Sequence, residues 1–214
     1  MVNYKKGLDD VSNEYEGSGF SWFKVKENET KTIRFLTEAP DIIRLPLHFI
    51  KIGKFKGSVM CQNDPDTNKF DCPMCKVAQK EFTAPVGMVA ERMFAVIIDR
   101  ESKEAKLFQG TASVMNKVAE SYRLNKSLTN VDYSISLRRG KNNFLEYSLN
   151  ALVNTAGELK PEEKALVTKI NMDDVIKGFT KTDEEVTKIL RGEYAPKKKS
   201  GSVLDDIMGS NNVL

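Results

Sequence analysis

Tyr133-Ser134-Ile135-Ser136-Leu137, then Arg138-Arg139-Gly140-Lys141-Asn142-Asn143, then Phe144-Leu145-Glu146-Tyr147-Ser148-Leu149, is the stretch on which the fold turns. Polar and apolar residues alternate through its first part, a polar stretch with a glycine follows, and a second β-rich run returns. That pattern predicts a half-buried hairpin. Upstream, Thr111 or Ser113 can cap a helix whose apolar positions Val114, Met115, Val118, Ala119 and Tyr122 recur at helical spacing. Before the helix, Arg92-Met93-Phe94-Ala95-Val96-Ile97-Ile98 and Ala105-Lys106-Leu107-Phe108 predict two strands joined by a loop at 101–104. Earlier still, Thr32-Ile33-Arg34-Phe35-Leu36 and the run from Ile42 to Ile52 are short and β-rich.

Five or so short strands with one helix before the last hairpin predict a mainly β fold, an OB-type five-stranded barrel. An SH3-like barrel would give a similar pattern. Residues 1–20, with Gly7, Gly17, Gly19 and mixed charge, are expected to form a flexible arm, and 21–155 the core. Two short helices are expected at 161–166 and 183–190, within an acidic segment spanning 156–195. Residues 196–214 read as a linker and tail.

The chain has 214 residues, a formal net charge of +3, 40% apolar and 29% charged residues, which suits an ordinary soluble protein. No stretch has the ~20 apolar residues that a membrane span needs. Acidic residues, and no apolar run, follow Met1-Val2-Asn3-Tyr4-Lys5-Lys6, so a secretory signal is not expected. With three cysteines, an odd number, the expectation is a reducing cytoplasm and not a disulfide framework.

Those three cysteines and the sole histidine fall within 28 residues, as His48, Cys61, Cys72 and Cys75. Zinc prefers four tetrahedral thiolate and imidazole ligands, and this set closes the shell. A closed shell leaves no position for water or substrate, so the expected zinc is single and structural, in a module at about 44–80. The Cys72-Pro73-Met74-Cys75 pair alone would also suit a redox centre, but it lacks a βαβ context. Asp64, Asp66 and Asn68 imitate a calcium loop, yet Lys69 and Cys75 stand where that loop needs Gly and Glu. The histidine is already committed to metal, so none remains for a catalytic triad, and no enzymatic activity is expected.

This ligand order and spacing resembles the zinc site of the T-even bacteriophage single-stranded DNA-binding, or helix-destabilising, proteins. The layout is similar too: an arm, an OB-type core interrupted by the zinc module, and a tail. The resemblance implies a protein that coats and protects single strands during phage DNA replication, recombination and repair, self-associating on DNA in the host cytoplasm. It also implies that the tail docks on replisome proteins such as a polymerase or helicase loader. The chain departs from the family in its arm, where Lys5 and Lys6 precede Asp9 and Asp10, and in its tail, where Asp205 and Asp206 are the only acids after Lys199.

Binding single strands takes cations for phosphates and aromatic faces for bases. No acid lies between Ile42 and Asn63, where Arg44, Lys51, Lys54 and Lys56 interleave with Phe49 and Phe55. From Ser121 to Leu145, Arg123, Lys126, Arg138, Arg139 and Lys141 face the single acid Asp132, in company with Tyr122, Tyr133 and Phe144. The expected DNA-binding set is therefore Trp22, Arg34, Arg44, Lys51, Lys54, Phe55, Lys56, Arg92, Phe94, Tyr133, Arg138, Arg139, Lys141 and Phe144. Leu204, Asp205, Asp206, Ile207 and Met208 are the expected partner-binding peptide. The competing expectation is a zinc-ribbon-like adaptor that binds protein in transcription or replication.

Overall fold

The last hairpin forms as strands β6 (Asp132–Arg139) and β7 (Leu145–Leu152), antiparallel from Asp132 opposite Leu152 to Arg139 opposite Leu145. Tyr133, Ile135 and Leu137 point to one face and are buried there, as a period of two requires. The computed structural model describes residues 21–63, 70–81, 83–140, 145–155 and 157–194. The expected arm at 1–20 and the tail, with Leu204, Asp205, Asp206, Ile207 and Met208, lie outside the described residues, as do Lys141 and Phe144.

The other strands are β1 (Thr30–Phe35), β2 (Ile43–Ile52), β3 (Phe55–Met60), β4 (Ala90–Asp99) and β5 (Glu104–Gly110). All pairings between these strands are antiparallel. The order is β3-β2-β4-β1-β6-β7, with β5 on the free side of β4. One edge of β4 is shared: its first half pairs with β2 and its last three residues with β1. Among the described residues no ladder joins β5 to β7. The sheet is therefore a curled antiparallel half-barrel, mainly β with a few helices, and not a five-stranded barrel closed by hydrogen bonds.

Helix α2 (Ala112–Asn125) buries Val114 and Val118, one turn apart, against the concave side. Thr111 is its N-cap residue, but its hydroxyl bonds Ser113 Oγ at 2.9 Å and caps no helix amide. The turn from α2 into β6 is tied by Glu38. Its carboxylate accepts from the Ser127 and Thr129 hydroxyls and the Leu128 and Thr129 amides. Burial alone would raise this carboxyl, and those bonds outweigh it and hold it below its ordinary value.

Three apolar clusters follow from this geometry. The concave cluster joins Ile33, Phe35, Ala95, Ile97, Phe108, Tyr133 and Ile135 to α2. The convex face of β4, with Phe94, Val96 and Ile98, is covered by Ile170 and by Val175 and Phe179 of a helix that the sequence did not signal, α4 (Met172–Phe179). The third cluster is built round the cysteines, with Val186 and Ile189 of α5 (Asp183–Leu190). The helices of the acidic segment, including the short α3 (Pro161–Lys164), are thus folded onto the sheet. An ion network ties the start of this segment and α3 to the sheet. Asp132 holds Arg34 at 2.5 Å and Arg100 at 2.7 Å, Arg100 reaches Glu163, and Arg34 donates to the Thr155 and Gly157 carbonyls.

Candidate metal centre and nucleic-acid interface

β2 is long enough, at ten residues, to carry two sites on opposite faces. His48 and Ile50 alternate with Phe49 and Lys51 along it. β2 turns into β3 through Gly53-Lys54, where Ile52 pairs Phe55. Such a two-residue loop favours φ > 0 at its first position, and Gly53 has φ +57°. A Cβ there would also sit 3.0 Å from the Gly192 carbonyl oxygen. Cys61 directly follows β3 and donates its amide to Pro46 O at 2.8 Å. Cys72 is the N-cap residue of the short helix α1 (Pro73–Val77), and Cys75 lies in its first turn.

The hairpin and the helix bring His48, Cys61, Cys72 and Cys75 together, with their ligand atoms within 4.8 Å of one another. His48 Nε2 lies 3.3 Å from Cys75 Sγ and 3.8 Å from Cys72 Sγ, and Cys61 and Cys75 Sγ are 3.5 Å apart. A zinc–sulfur bond of about 2.3 Å implies tetrahedral edges of about 3.8 Å, so the residues fit one tetrahedral ion. His48 Nδ1 lies 2.9 Å from Gly87 O. A carbonyl can only accept, so the proton sits on Nδ1 and Nε2 is left as a ligand. Asn63 adds a second support: it donates to Cys75 Sγ at 3.3 Å and accepts the Cys72 amide at 2.8 Å.

Three thiols crowd this pocket. Burial, then the neighbouring sulfurs, push Cys75 up to about 12. Burial pushes the Cys61 thiol up as well. It opposes ionisation of Cys72 too, but backbone hydrogen bonds from Gln62, Cys75 and Met74 bring that thiol below its ordinary value. Three thiolates so close need a cation among them, and the four residues can hold a metal ion.

The expected DNA-binding residues divide. Tyr133 and Phe94 are fully buried, in the concave and convex clusters, and offer no face to a base. Arg34 is buried and its guanidinium is taken up by Asp132 and two carbonyls, which corrects its expected role. Trp22 is half-buried, edge-on to Phe94 at 6.3 Å. Phe55 is half-buried on the metal side of the hairpin, edge-on to Tyr194 at 5.3 Å. Arg92 shares the covered face with Phe94, and burial lowers its guanidinium from the ordinary value. Arg44 is exposed and paired with Glu91 at 2.6 Å, and Arg139 with Glu27 at 2.8 Å. Arg138 is exposed, opposite Glu146. Lys51 and Lys54 are exposed and Lys56 half-buried, all at the hairpin tip. The interface expectation thus contracts to that tip and to the β6–β7 turn.

The sequence reading missed Asn63 and the α5 residues that close the metal pocket. Neither carries a motif, since Gln62 and Asn63 meet the centre and α5 only in space. Gln62 donates to Asp183 Oδ1, 121 residues on, at 2.8 Å. No family model, curated protein or solved structure matches the chain. Among the described residues no helix is long and apolar enough to cross a membrane.

Proposed function

We propose that this chain is a sequence-tolerant single-stranded DNA-binding protein of the T-even phage type, on an OB-type barrel stapled by one structural zinc. The observation that carries the proposal is the double use of β2: a closed set of one histidine and three cysteines on one face, with the exposed Lys51 and the half-buried Phe49 on the other. The pairings β1–β4, β4–β5, β1–β6 and β6–β7 are those of an OB barrel, with the β5–β7 seam left open. OB folds take oligonucleotides on the face of their second and third strands and on two flanking loops. Here that face is covered by Val175 and Phe179. The two loops correspond to the β2–β3 hairpin with its metal module and to the β6–β7 turn, where the exposed cations gather.

Zinc, held by His48, Cys61, Cys72 and Cys75, would supply cross-links and no reactive position. Phosphate contact by lysines, with stacking on aromatics, gives affinity without base readout. The tail peptide and self-association on the strand belong to the same proposal, as docking functions at a replication fork. The test is a fluorescent oligo-dT titrated with protein beside a matched hairpin of equal length. Tight binding to dT with weak binding to the hairpin is expected, and equal affinity overturns the assignment.

A second reading, a zinc-ribbon-like protein-binding adaptor, draws on exposed Phe70, Val77, Met88 and Val89 around the metal module. It expects little affinity for dT, so the same titration separates the two.

A further inference from the structure

Three arginines of this chain are not exposed: Arg34, Arg92 and Arg100. A guanidinium drawn out of water calls for an anionic partner, because its charge otherwise loses solvation without compensation. Arg34 has Asp132, and Arg100 has both Asp132 and Glu163. Arg92 has neither: among the described residues no hydrogen bond, ion pair or ring contact reaches it. The adjacent acid, Glu91, points to the opposite face of the strand and is held by Arg44 at 2.6 Å. Burial lowers the Arg92 guanidinium from its ordinary value, and no carboxylate offsets this as carboxylates do at Arg100.

Arg92 stands near the start of β4, opposite Leu45. Two residues on along the same face, Phe94 is fully buried and packed against Phe179 of α4. Arg92 is only half-buried, so the cover that α4 lays on this face runs out between them. Across the strand pair, Phe94 is opposite Gln109 and Met93 opposite Gly110. Gln109 is therefore the diagonal neighbour of Arg92 on that face, at ~7 to 8 Å, within reach of two long side chains. Gln109 is half-buried as well, and among the described residues its amide makes no hydrogen bond. The floor beneath the two is apolar, formed by Leu45, Phe94 and Leu107. A cation and an amide thus rise together from an apolar floor with their donors unused.

The group that complements such a pair is an oxyanion. The planar guanidinium fork takes two oxygens of a carboxylate or a phosphate side by side. A carboxylate lies in the plane of the fork and engages both of its oxygens there. A tetrahedral phosphate also carries oxygens out of that plane, open to a second donor such as the Gln109 amide. The apolar floor strengthens each of these bonds, since little water competes for them. We propose that Arg92 and Gln109 form a seat for one phosphate group, supplied by the backbone of a bound single strand or by free phosphate. With a strand as the source, the seat rests on the single-strand function proposed above and adds a contact away from the hairpin tip. With free phosphate as the source, it stands without that function.

Binding of labelled oligo-dT is measured by anisotropy and of inorganic phosphate by calorimetry, for the full chain and for Arg92→Met, Arg92→Lys and Gln109→Leu, each checked for folding by circular dichroism. Arg92→Met keeps an aliphatic stem and removes the charge. Its affinity for the ligand that fills the seat should fall about 10- to 150-fold, the range for hydrogen bonds to a charged group. Where that ligand is dT, the slope of log K against log salt should also flatten by ~0.7, one phosphate contact. Gln109→Leu should cost about 2- to 12-fold, and no loss there removes the amide from the seat. Arg92→Lys keeps the charge without the fork, so it should bind more weakly than the wild type with the salt slope unchanged. Loss of dT binding in Arg92→Met, with phosphate inert throughout, identifies the strand as the source. Phosphate binding that Arg92→Met abolishes, in a wild type without dT affinity, keeps the seat and ends the single-strand function. A folded Arg92→Met that binds both ligands as the wild type does overturns the seat and leaves the single-strand function standing. If Arg92→Met does not fold, Arg92→Lys decides, and wild-type affinity there overturns the seat. A wild type that binds neither ligand overturns both.

Discussion

On the concave side of the half-barrel, Ile33, Phe35, Ile97, Tyr133 and Ile135 are fully buried in one apolar cluster with Phe108 and α2, and the Tyr133 hydroxyl is bonded to Ser121. Beneath the β2–β3 hairpin, the buried cluster is Ile50, Val59, Val86 and Met74 with two cysteines and two residues borrowed from α5. The first region is held by burial of apolar area, about 25 cal/mol per Å². The second encloses three thiols and an imidazole, whose chemistry favours a cation over a contact. The comparison teaches that one sheet joins a core closed by apolar packing to a region whose four clustered ligand atoms can hold an ion, and that β2 belongs to both.

Metal removal should have the largest effect. Structural zinc contributes about 10–16 kcal/mol of apparent binding free energy in zinc-finger peptides. Chelation, or Cys72→Ser, should therefore expose amides of residues 44–80 and of α5 to hydrogen exchange while β1, β5 and β6 stay protected. Loss of protection throughout the barrel at the same chelator concentration would erase the distinction between the regions. Phe35→Ala, on the other side, should cost about 3–5 kcal/mol in a urea midpoint experiment by leaving a cavity in the concave core, and the protein should still hold one zinc per chain.

Arg34→Met sharpens the comparison at the junction with the C-terminal segment. It removes the cation from Asp132 and the donors from Thr155 and Gly157, although Arg100 remains. We expect a loss of about 2 kcal/mol and oligo-dT affinity unchanged, since this arginine faces no solvent. An affinity drop in the folded variant would return Arg34 to the interface.

Acid should separate the regions more gently. Hydrogen bonds from Ser127 and Thr129 outweigh burial at Glu38, the Lys106 ammonium outweighs it at Asp99, and Arg100 at Glu163. All three carboxyls are thus held below their ordinary values. Their contribution is complete above the unfolded carboxylate range, ~3.9 to 4.3, and is lost only as pH falls through the lower folded values. Metal ligands must be deprotonated, so the ion should leave at a higher pH. Zinc release monitored by a colorimetric chelator should precede barrel unfolding monitored by circular dichroism, and a single coincident transition would contradict this order.

Much of this division was legible in the sequence, for physical reasons. The metal set is legible because Cys and His are rare and chemically distinct, and the last hairpin because Ser134 and Ser136 alternate with Tyr133, Ile135 and Leu137. β3 carries a weak signal because Gly57 and Ser58 interrupt its apolar pattern. Which aromatic is fully buried and which only half-buried is decided by distant chain: Phe94 is covered by Phe179, 85 residues on, at 5.0 Å. Nothing local to Phe94 or Phe49 separates them. Arg34 likewise sits in a β-rich run like any surface cation, and its partner Asp132 lies 98 residues away.

The salt dependence of oligo-dT binding by the zinc-loaded full chain tests the single-strand function most directly. The account predicts that log K falls linearly with log salt, by ~0.7 for each phosphate engaged, and that a matched hairpin of the same length binds far more weakly at every salt concentration. Affinity that is weak and independent of salt, or equal for strand and hairpin, would contradict it.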